Sequence, residues 1–395
     1  MDGRVAIIGA GISGMTLALR LQQLGVPTTL WSATTPEELR ASRVTCFVAR
    51  FRATIEREQV LGVDHWAAVP GYTSERMRLD VVGTPLGFEG RPTHPVRAVD
   101  FRLYLSQLLE DYVDRGGDVV VGPLPSTLDD VVDRTHGCDA VVVAAGRACE
   151  LFPVRRDRSP FTTPQRLLLG GLFEGVRQTE PVSFSFNVVP GAGEIFQQAF
   201  LTERGVVSAM LVEAIPGGVL EPITALDVVH DATAFADAIE RHAPALAPQL
   251  DRRRFRALGE RHVLRGAVTP AVRESSLALP DGRVALAIGD AWITNDPITG
   301  QGANLGSHCA WHLADALATC DAADLDFAAR AGDELWAHAG PITAWTNAFL
   351  QPPPPHVMEV LAAATADQAV ADRFTDGFAD PLTFALSFLG AAEAA

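Results

Sequence analysis

A glycine loop set between a strand and a helix near the start of the chain constrains its fold more than any other feature. Val5–Ile8 is an unbroken apolar run of the kind buried in parallel sheets, and Gly9-Ala10-Gly11-Ile12-Ser13-Gly14 follows it directly. Leu17, Leu21 and Leu24 then fall on one helical face, Gly25 marks the stop, and Thr28 to Trp31 gives a second strand. This strand–loop–helix–strand order opens a dinucleotide-binding unit. In such a loop Gly9 permits the tight turn, Gly11 lets the backbone approach a pyrophosphate, and Gly14 lets helix and strand pack closely. The phosphates are expected at the positive end of the helix beginning near Ser13. An acidic residue usually ends the second strand, where it binds a ribose. Trp31-Ser32 stands there instead, so the hydroxyls of Ser32 or Thr34 are expected in its place.

Further along, residues 98–116 read as a helix capped by Asp100 and ended by Gly116-Gly117, with strands at 119–121 and 140–145. From about 166 to 215 the pattern changes to alternating or apolar segments (182–188, 195–201 and 206–212) with turn residues between them. That pattern predicts an antiparallel sheet on the substrate side. Val284–Ile288 returns to the nucleotide-binding style. Residues 321–395 are alanine-rich and helical, broken by Pro352 to Pro355, a rigid turn between helices. The expected class is therefore α/β, with a Rossmann-like domain formed by 1–160 and 263–320. A sheet layer spans 161–262, and a helical C-terminal segment spans 321–395.

Composition closes off several chemistries. The formal charge is −16 (32 − 48), which argues against nucleic acid as the main partner. All 32 basic residues are arginine, so a lysine Schiff base and a phosphate-binding P-loop lysine are excluded. The 5 cysteines (Cys46, Cys138, Cys149, Cys309, Cys320) form no CxxC pair, which fits reduced thiols rather than a disulfide framework or zinc site. With no secretory signal pattern and no apolar run of membrane-spanning length, a cytoplasmic protein without membrane contact is expected. His308 and His312 lie one helical turn apart, but no HExxH pattern or matching carboxylate accompanies them, so no metal is expected.

The second signal is Gly289-Asp290 directly after a strand. A carboxylate there can accept a hydrogen bond from a flavin ribityl hydroxyl. Asp296-Pro297-Ile298-Thr299-Gly300-Gln301-Gly302-Ala303-Asn304 follows and opens a helix over 305–318. Its free N–H groups would favour the negative N1–C2=O edge of a reduced flavin. Together the two glycine segments point to FAD rather than NAD.

The segment GDAWITNDPITGQGANLGSHCAW at 289–311 resembles the flavin-binding signature of the styrene/indole monooxygenase oxygenase subunits, the two-component epoxidases. RAVDFRLY at 97–104, SPFTTPQRLLLGGLFEGV at 159–176, and WTN with ADRFTDGFADP near the end are similar as well. The resemblance runs from about residue 4 to 382. It implies a fold of the aromatic-hydroxylase, glutathione-reductase-like type. It also implies reduced, diffusible FAD supplied by a separate NAD(P)H:flavin reductase, and a flavin C4a-hydroperoxide that passes one oxygen atom of O2 to an aromatic alkene or indole-like substrate. Gly9, Gly11, Gly14, Arg43, Asp290, Gly300, Gln301, Gly302, Ala303 and Asn304 are implied to lie along FAD, with Ser13 and Pro297 beside them. Arg43 also has the reach to grip pyrophosphate oxygens. Val44, Thr45 and Cys46 are implied to face the substrate from one side, with Phe184, Phe186, Leu211, Pro297, Ile298 and Thr299 on the other.

The chain departs from the family at Cys46 and Arg50, where styrene-type members carry Asn and His, and at Val96, where the family has a small residue. Arg50, if inward, favours a substrate bearing a carboxylate; otherwise it is solvated or bound to cofactor phosphate. The flavin performs the difficult step, so no catalytic acid or base of the protein is required. Two rivals remain: a single-component NAD(P)H-dependent aromatic hydroxylase, and a non-catalytic binding protein on an FAD fold. A halogenase is disfavoured by the lack of a WxWxIP motif and of any lysine. No second dinucleotide fingerprint is present for a fused reductase. Homodimers are the common default for such enzymes.

Overall fold

The computed structural model describes residues 3–146 and 150–390. Cys149 therefore lies outside the described residues. Val5–Ile8 is buried throughout because it sits inside a six-stranded sheet. Its order across the sheet is 276–278, 284–287, 140–143, 5–8, 28–32 and 118–121. All neighbours are parallel except Ser276–Ala278, which pairs antiparallel at the edge. From 5–8 the chain steps outward to 28–32 and 118–121, then returns across to 140–143. That leaves a switch point beyond the carboxyl ends of the two central strands, where such folds place their ligands. Helix Ile12–Gln23 packs on helix Gly302–Thr319 over one face.

The second sheet has eight strands, ordered 256–257, 166–174, 205–214, 193–202, 183–189, 76–81 and 87–90, with 263–268 also on 166–174. It differs from the antiparallel layer expected for 161–262. Ser183–Val189 pairs parallel with Arg76–Val81, a segment read from sequence as part of the nucleotide-binding unit. Short strands such as 76–81 and 87–90 carry no local mark of which sheet they will join. The faces alternate as pleating requires. Met210, Val212 and Ala214 pack under helix Ala232–His242 with Phe173, Phe235 and Ile239. Ala209, Leu211 and Glu213 turn the other way, toward the first domain.

The C-terminal segment is helical, as expected: Leu325–Phe349, Pro355–Ala366, Gln368–Asp376 and Pro381–Leu389. Pro355 begins the second of these, where a missing N–H costs nothing. Helix Gln368–Asp376 presses on strand Gly87–Gly90 closely enough that a Cβ on Gly90 would collide with the Ala371 carbonyl. Trp345, Phe374 and Phe384 meet edge to face behind it, with ring centroids 5.1 and 5.2 Å apart. Among the described residues no helix is long and apolar enough to cross a membrane.

Candidate active site

The three loop glycines occupy different surroundings. Gly9 has φ +111°, and a Cβ there would run into the Ala144 carbonyl of the adjacent strand. A Cβ on Gly14 would collide with the Gly9 carbonyl. Gly11 is the opposite case: it is the N-cap of helix Ile12–Gln23, and a Cβ would meet nothing within 4 Å. The closed glycines shape the turn, and the open one leaves room at a positive helix end. That is the cradle a dinucleotide pyrophosphate needs, so the residues present fit FAD.

Ser13 has a different task from the one expected. Its Oγ fills the space beside Gly289 and Gly306, and a Cβ on Gly306 would collide with it. It locks the first helix against helix Gly302–Thr319. Ser32 is buried, and its hydroxyl donates to the Thr34 carbonyl at 2.6 Å, so that proton is engaged in a local turn rather than offered outward. The Asp290 carbonyl accepts from Arg273 and from the Thr294 hydroxyl, each at 3.1 Å, which fixes the backbone after the strand.

Helix Gly302–Thr319 begins three residues earlier than the sequence pattern suggested, and no side chain caps it. Its first N–H groups stay available beside Gly300, whose φ of +65° makes the turn into the helix. Gly302 and Ala303 are half-buried at this start. Asn304 is engaged by protein on every side. Its Oδ1 accepts from Phe51 N (3.0 Å) and the Thr54 hydroxyl (2.8 Å), while Nδ2 donates to the Ala49 and Gly300 carbonyls, both at 2.9 Å. It clamps segment 49–54 to the helix start rather than touching a ligand with its side chain. Asn304→Ala strands several buried partners and is expected to cost about 2–3 kcal/mol in chemical denaturation. An unchanged unfolding midpoint would show that the clamp carries no stability.

The pocket lies between the second sheet and the 297–300 turn. Phe184, Phe186, Leu211, Pro297, Ile298, Thr299 and Gly300 line it, as do Phe47, Ala49, Phe51, Met77, Phe196, Gln198, Ala209, Glu213 and Phe378. Val44, Thr45 and Cys46 are not among the lining residues. Val44 is buried, its N–H bonded to the Arg261 carbonyl at 2.9 Å, and the pocket wall is instead the alternate set Phe47, Ala49 and Phe51. Met77 and Phe378 arrive from remote segments with no local signal. Gln301 donates to the Phe378 carbonyl at 3.0 Å, which ties the C-terminal helices to the pocket rim. The Thr299 hydroxyl is bonded to Thr346 at 2.8 Å. Free space is about 50 Å³. An apolar cavity of roughly 150 Å³ admits benzene, so an aromatic molecule would fit here only if ring side chains turned aside.

Four charged side chains are buried where the pocket meets the sheet. Arg166 and Glu194 form a bidentate pair at 2.7 and 2.9 Å. Glu213 is fully buried and lines the pocket, and Asp296 is 1% exposed. Asp296 Oδ1 accepts from Ile298 N at 3.1 Å; its Oδ2 and both Glu213 oxygens receive no donor. Burial pushes the Asp296 carboxyl up to about 6. Burial, with the Asp296 and Glu194 carboxylates beside it, pushes Glu213 well above the usual range. From sequence, Asp296 stands only as the start of the 296–304 segment and Glu213 has no role, although a lone Glu in phase with Ala209 and Leu211 on an apolar strand is a usable signal.

Two arginines make their contacts within the protein. Arg43 donates to the Glu260 carbonyl at 2.9 Å and is 60% exposed. Arg50 is neither solvated nor aimed at a phosphate. It is buried, ion-paired with Glu58, with its guanidinium 4.7 Å from the Tyr104 ring centroid. His308 stacks on His338 with centroids 3.6 Å apart, and burial lowers His308 to about 2. Among the described residues no group of His, Cys, Asp or Glu is arranged to hold a metal.

Comparison with known proteins gives the following likenesses. A family model described as "Styrene monooxygenase A putative substrate binding domain" matches residues 145–253. The "Styrene monooxygenase StyA" of Pseudomonas fluorescens is 31% identical over 392 residues, covering 96% of this chain and 94% of that one. Its namesake from a Pseudomonas species is 31% identical over 394 residues, with the same coverage. Among solved structures, the flavin-dependent brominase Bmp2 has a TM-score of 0.68 at 14% identity, covering 93% of this chain and 94% of that one. Aklavinone-11 hydroxylase in complex with FAD and aklavinone has a TM-score of 0.61 at 15% identity, covering 88% and 68%. At such identities these structures establish the fold alone.

Proposed function

The chain belongs to the styrene monooxygenase family of FAD-dependent monooxygenases, and from that premise we propose its reaction. It uses O2 and reduced FAD, delivered by a separate NAD(P)H:flavin reductase, to epoxidise an aromatic alkene or an indole-like substrate. The observation that supports this reading best is the phenylalanine-walled pocket closed by the 297–300 turn, which runs directly into the uncapped helix start at Gly302. FAD, when bound and reduced, supplies the activated oxygen at its C4a position.

The chain's own residues bind, orient and shield. Gly11 admits the pyrophosphate, and the start of helix Ile12–Gln23 attracts its charge. The uncapped start of helix Gly302–Thr319 leaves N–H groups that would favour the negative edge of a reduced flavin bound beside it. Asn304 holds that start against segment 49–54, and the Thr299–Thr346 bond fixes the turn above the pocket. Phe47, Phe184, Phe186 and Phe196 keep the reaction site poor in water, which protects activated oxygen from wasteful release as peroxide.

The test uses purified protein, FAD reduced without NAD(P)H, ¹⁸O₂, and styrene or indole. One labelled oxygen atom in the product is expected, with no NAD(P)H oxidation by this protein alone. Direct NAD(P)H oxidation would mean a single-component hydroxylase. FAD binding without oxygenation of any alkene would mean a binding protein.

A further inference from the structure

The pocket's charge is of the opposite sign to the one Arg50 suggested. Arg50 is ion-paired with Glu58, and Arg166 with Glu194. What remains is Glu213, which lines the pocket, and Asp296, buried beside it; no N–H or hydroxyl of the protein reaches either Glu213 oxygen or Asp296 Oδ2. Glu213 is fully buried and forms part of the lining. Buried acceptors of this kind call for a donor from outside the chain or for a proton. Phe184, Phe186 and Phe196 line the same pocket as Glu213, and aromatic rings attract cations electrostatically.

We propose that Glu213 and Asp296 are the specificity element of this pocket and select an aromatic substrate that carries a protonated amine. This rests on the reading that the pocket receives the substrate. The aromatic body of such a molecule lies among the phenylalanine rings, and its ammonium donates to the Glu213 oxygen that the shared proton with Asp296 leaves open. The charge count supports one cation. Arg166 and Glu194 cancel, and the facing pair retains one proton in an O–H···O bond, so one negative charge is left for the ligand. The groups that face the pair are Arg166 and Glu194, together with the Ile298 N–H on Asp296. As pH falls through about 6, Asp296 takes up its own proton, the net charge disappears, and the preference for a cation weakens.

The experiment compares three alkenes of one shape on the FAD-loaded enzyme by titration calorimetry: 4-vinylbenzylamine, 4-ethylstyrene and 4-vinylbenzoate. At pH 7.5 the amine should bind about tenfold more tightly than the neutral compound, and the carboxylate should bind most weakly. The amine's advantage should shrink toward unity at pH 5 and in Glu213→Gln. Equal binding of amine and ethyl compound by the wild type, which requires no variant to fold, would overturn the proposal, as would an undiminished preference in Glu213→Gln. The same compounds then separate the two readings. If the amine is preferred yet none of the alkenes gains oxygen, the monooxygenase reading fails and the recognition stands. If 4-ethylstyrene is epoxidised with no charge preference, the recognition fails and the reaction stands.

Discussion

Gly11→Val is expected to abolish FAD binding, with a loss of roughly a hundredfold or more, while the fold survives. The residue sits at φ −72° and ψ 179°, extended backbone that valine adopts readily, and nothing of the protein lies within 4 Å of the new Cβ. The branched side chain would therefore project into the open space at the helix end, where a pyrophosphate is expected to approach, without straining the chain itself. Gly14→Val is the matching control, because its Cβ strikes the Gly9 carbonyl and the loop must rearrange. The expected result is a separation: Gly11→Val keeps its thermal transition and loses flavin absorbance on gel filtration, and Gly14→Val loses both. Flavin retained by Gly11→Val at wild-type affinity would move the cofactor away from this helix.

Arg50→Met should cost about 3–5 kcal/mol of folding stability, because it leaves the Glu58 carboxylate buried without its cation. Glu58 also accepts from the Tyr104 hydroxyl at 2.8 Å, and Arg50 pairs through its backbone with Arg97, so the loss falls on the junction of three segments. The double substitution Arg50→Met, Glu58→Gln removes both charges and should recover most of that loss. A denaturant-melt cycle over the four proteins reads the coupling directly. Additive single effects would show that the pair is not the unit described. Ion-paired with Glu58, Arg50 gives no argument for a substrate bearing a carboxylate.

Much of the framework was legible because backbone geometry leaves few residue choices. Gly9, Gly14 and Gly300 stand where a Cβ or a negative φ is excluded, and the alternation through 205–214 marks which side chains share a face. The same period brings Phe184, Phe186 and Leu211 together in one lining. The losses were of two kinds. One was phase: the expected contacts Val44, Thr45 and Cys46 gave way to Phe47, Ala49 and Phe51, because the Asn304 clamp sets how segment 49–54 lies against the helix, and that clamp is 250 residues away in sequence. The other was long-range partnership. Nothing near Asp296 announces Glu213, and nothing near Arg50 announces Glu58 as a buried counterion.

The Gln301–Phe378 bond has a consequence for how the molecule comes into being. Phe378 closes a pocket whose other walls come from residues near 47, 77, 184–213 and 297, so the site is stitched from segments spread over most of the chain. Contacts of such sequence separation form late, after the local elements have condensed. On the ribosome, the nucleotide-binding loop can be complete while the pocket still gapes, awaiting a stretch not yet synthesised. A newborn chain thus has its glycine loop before the last wall of the pocket exists.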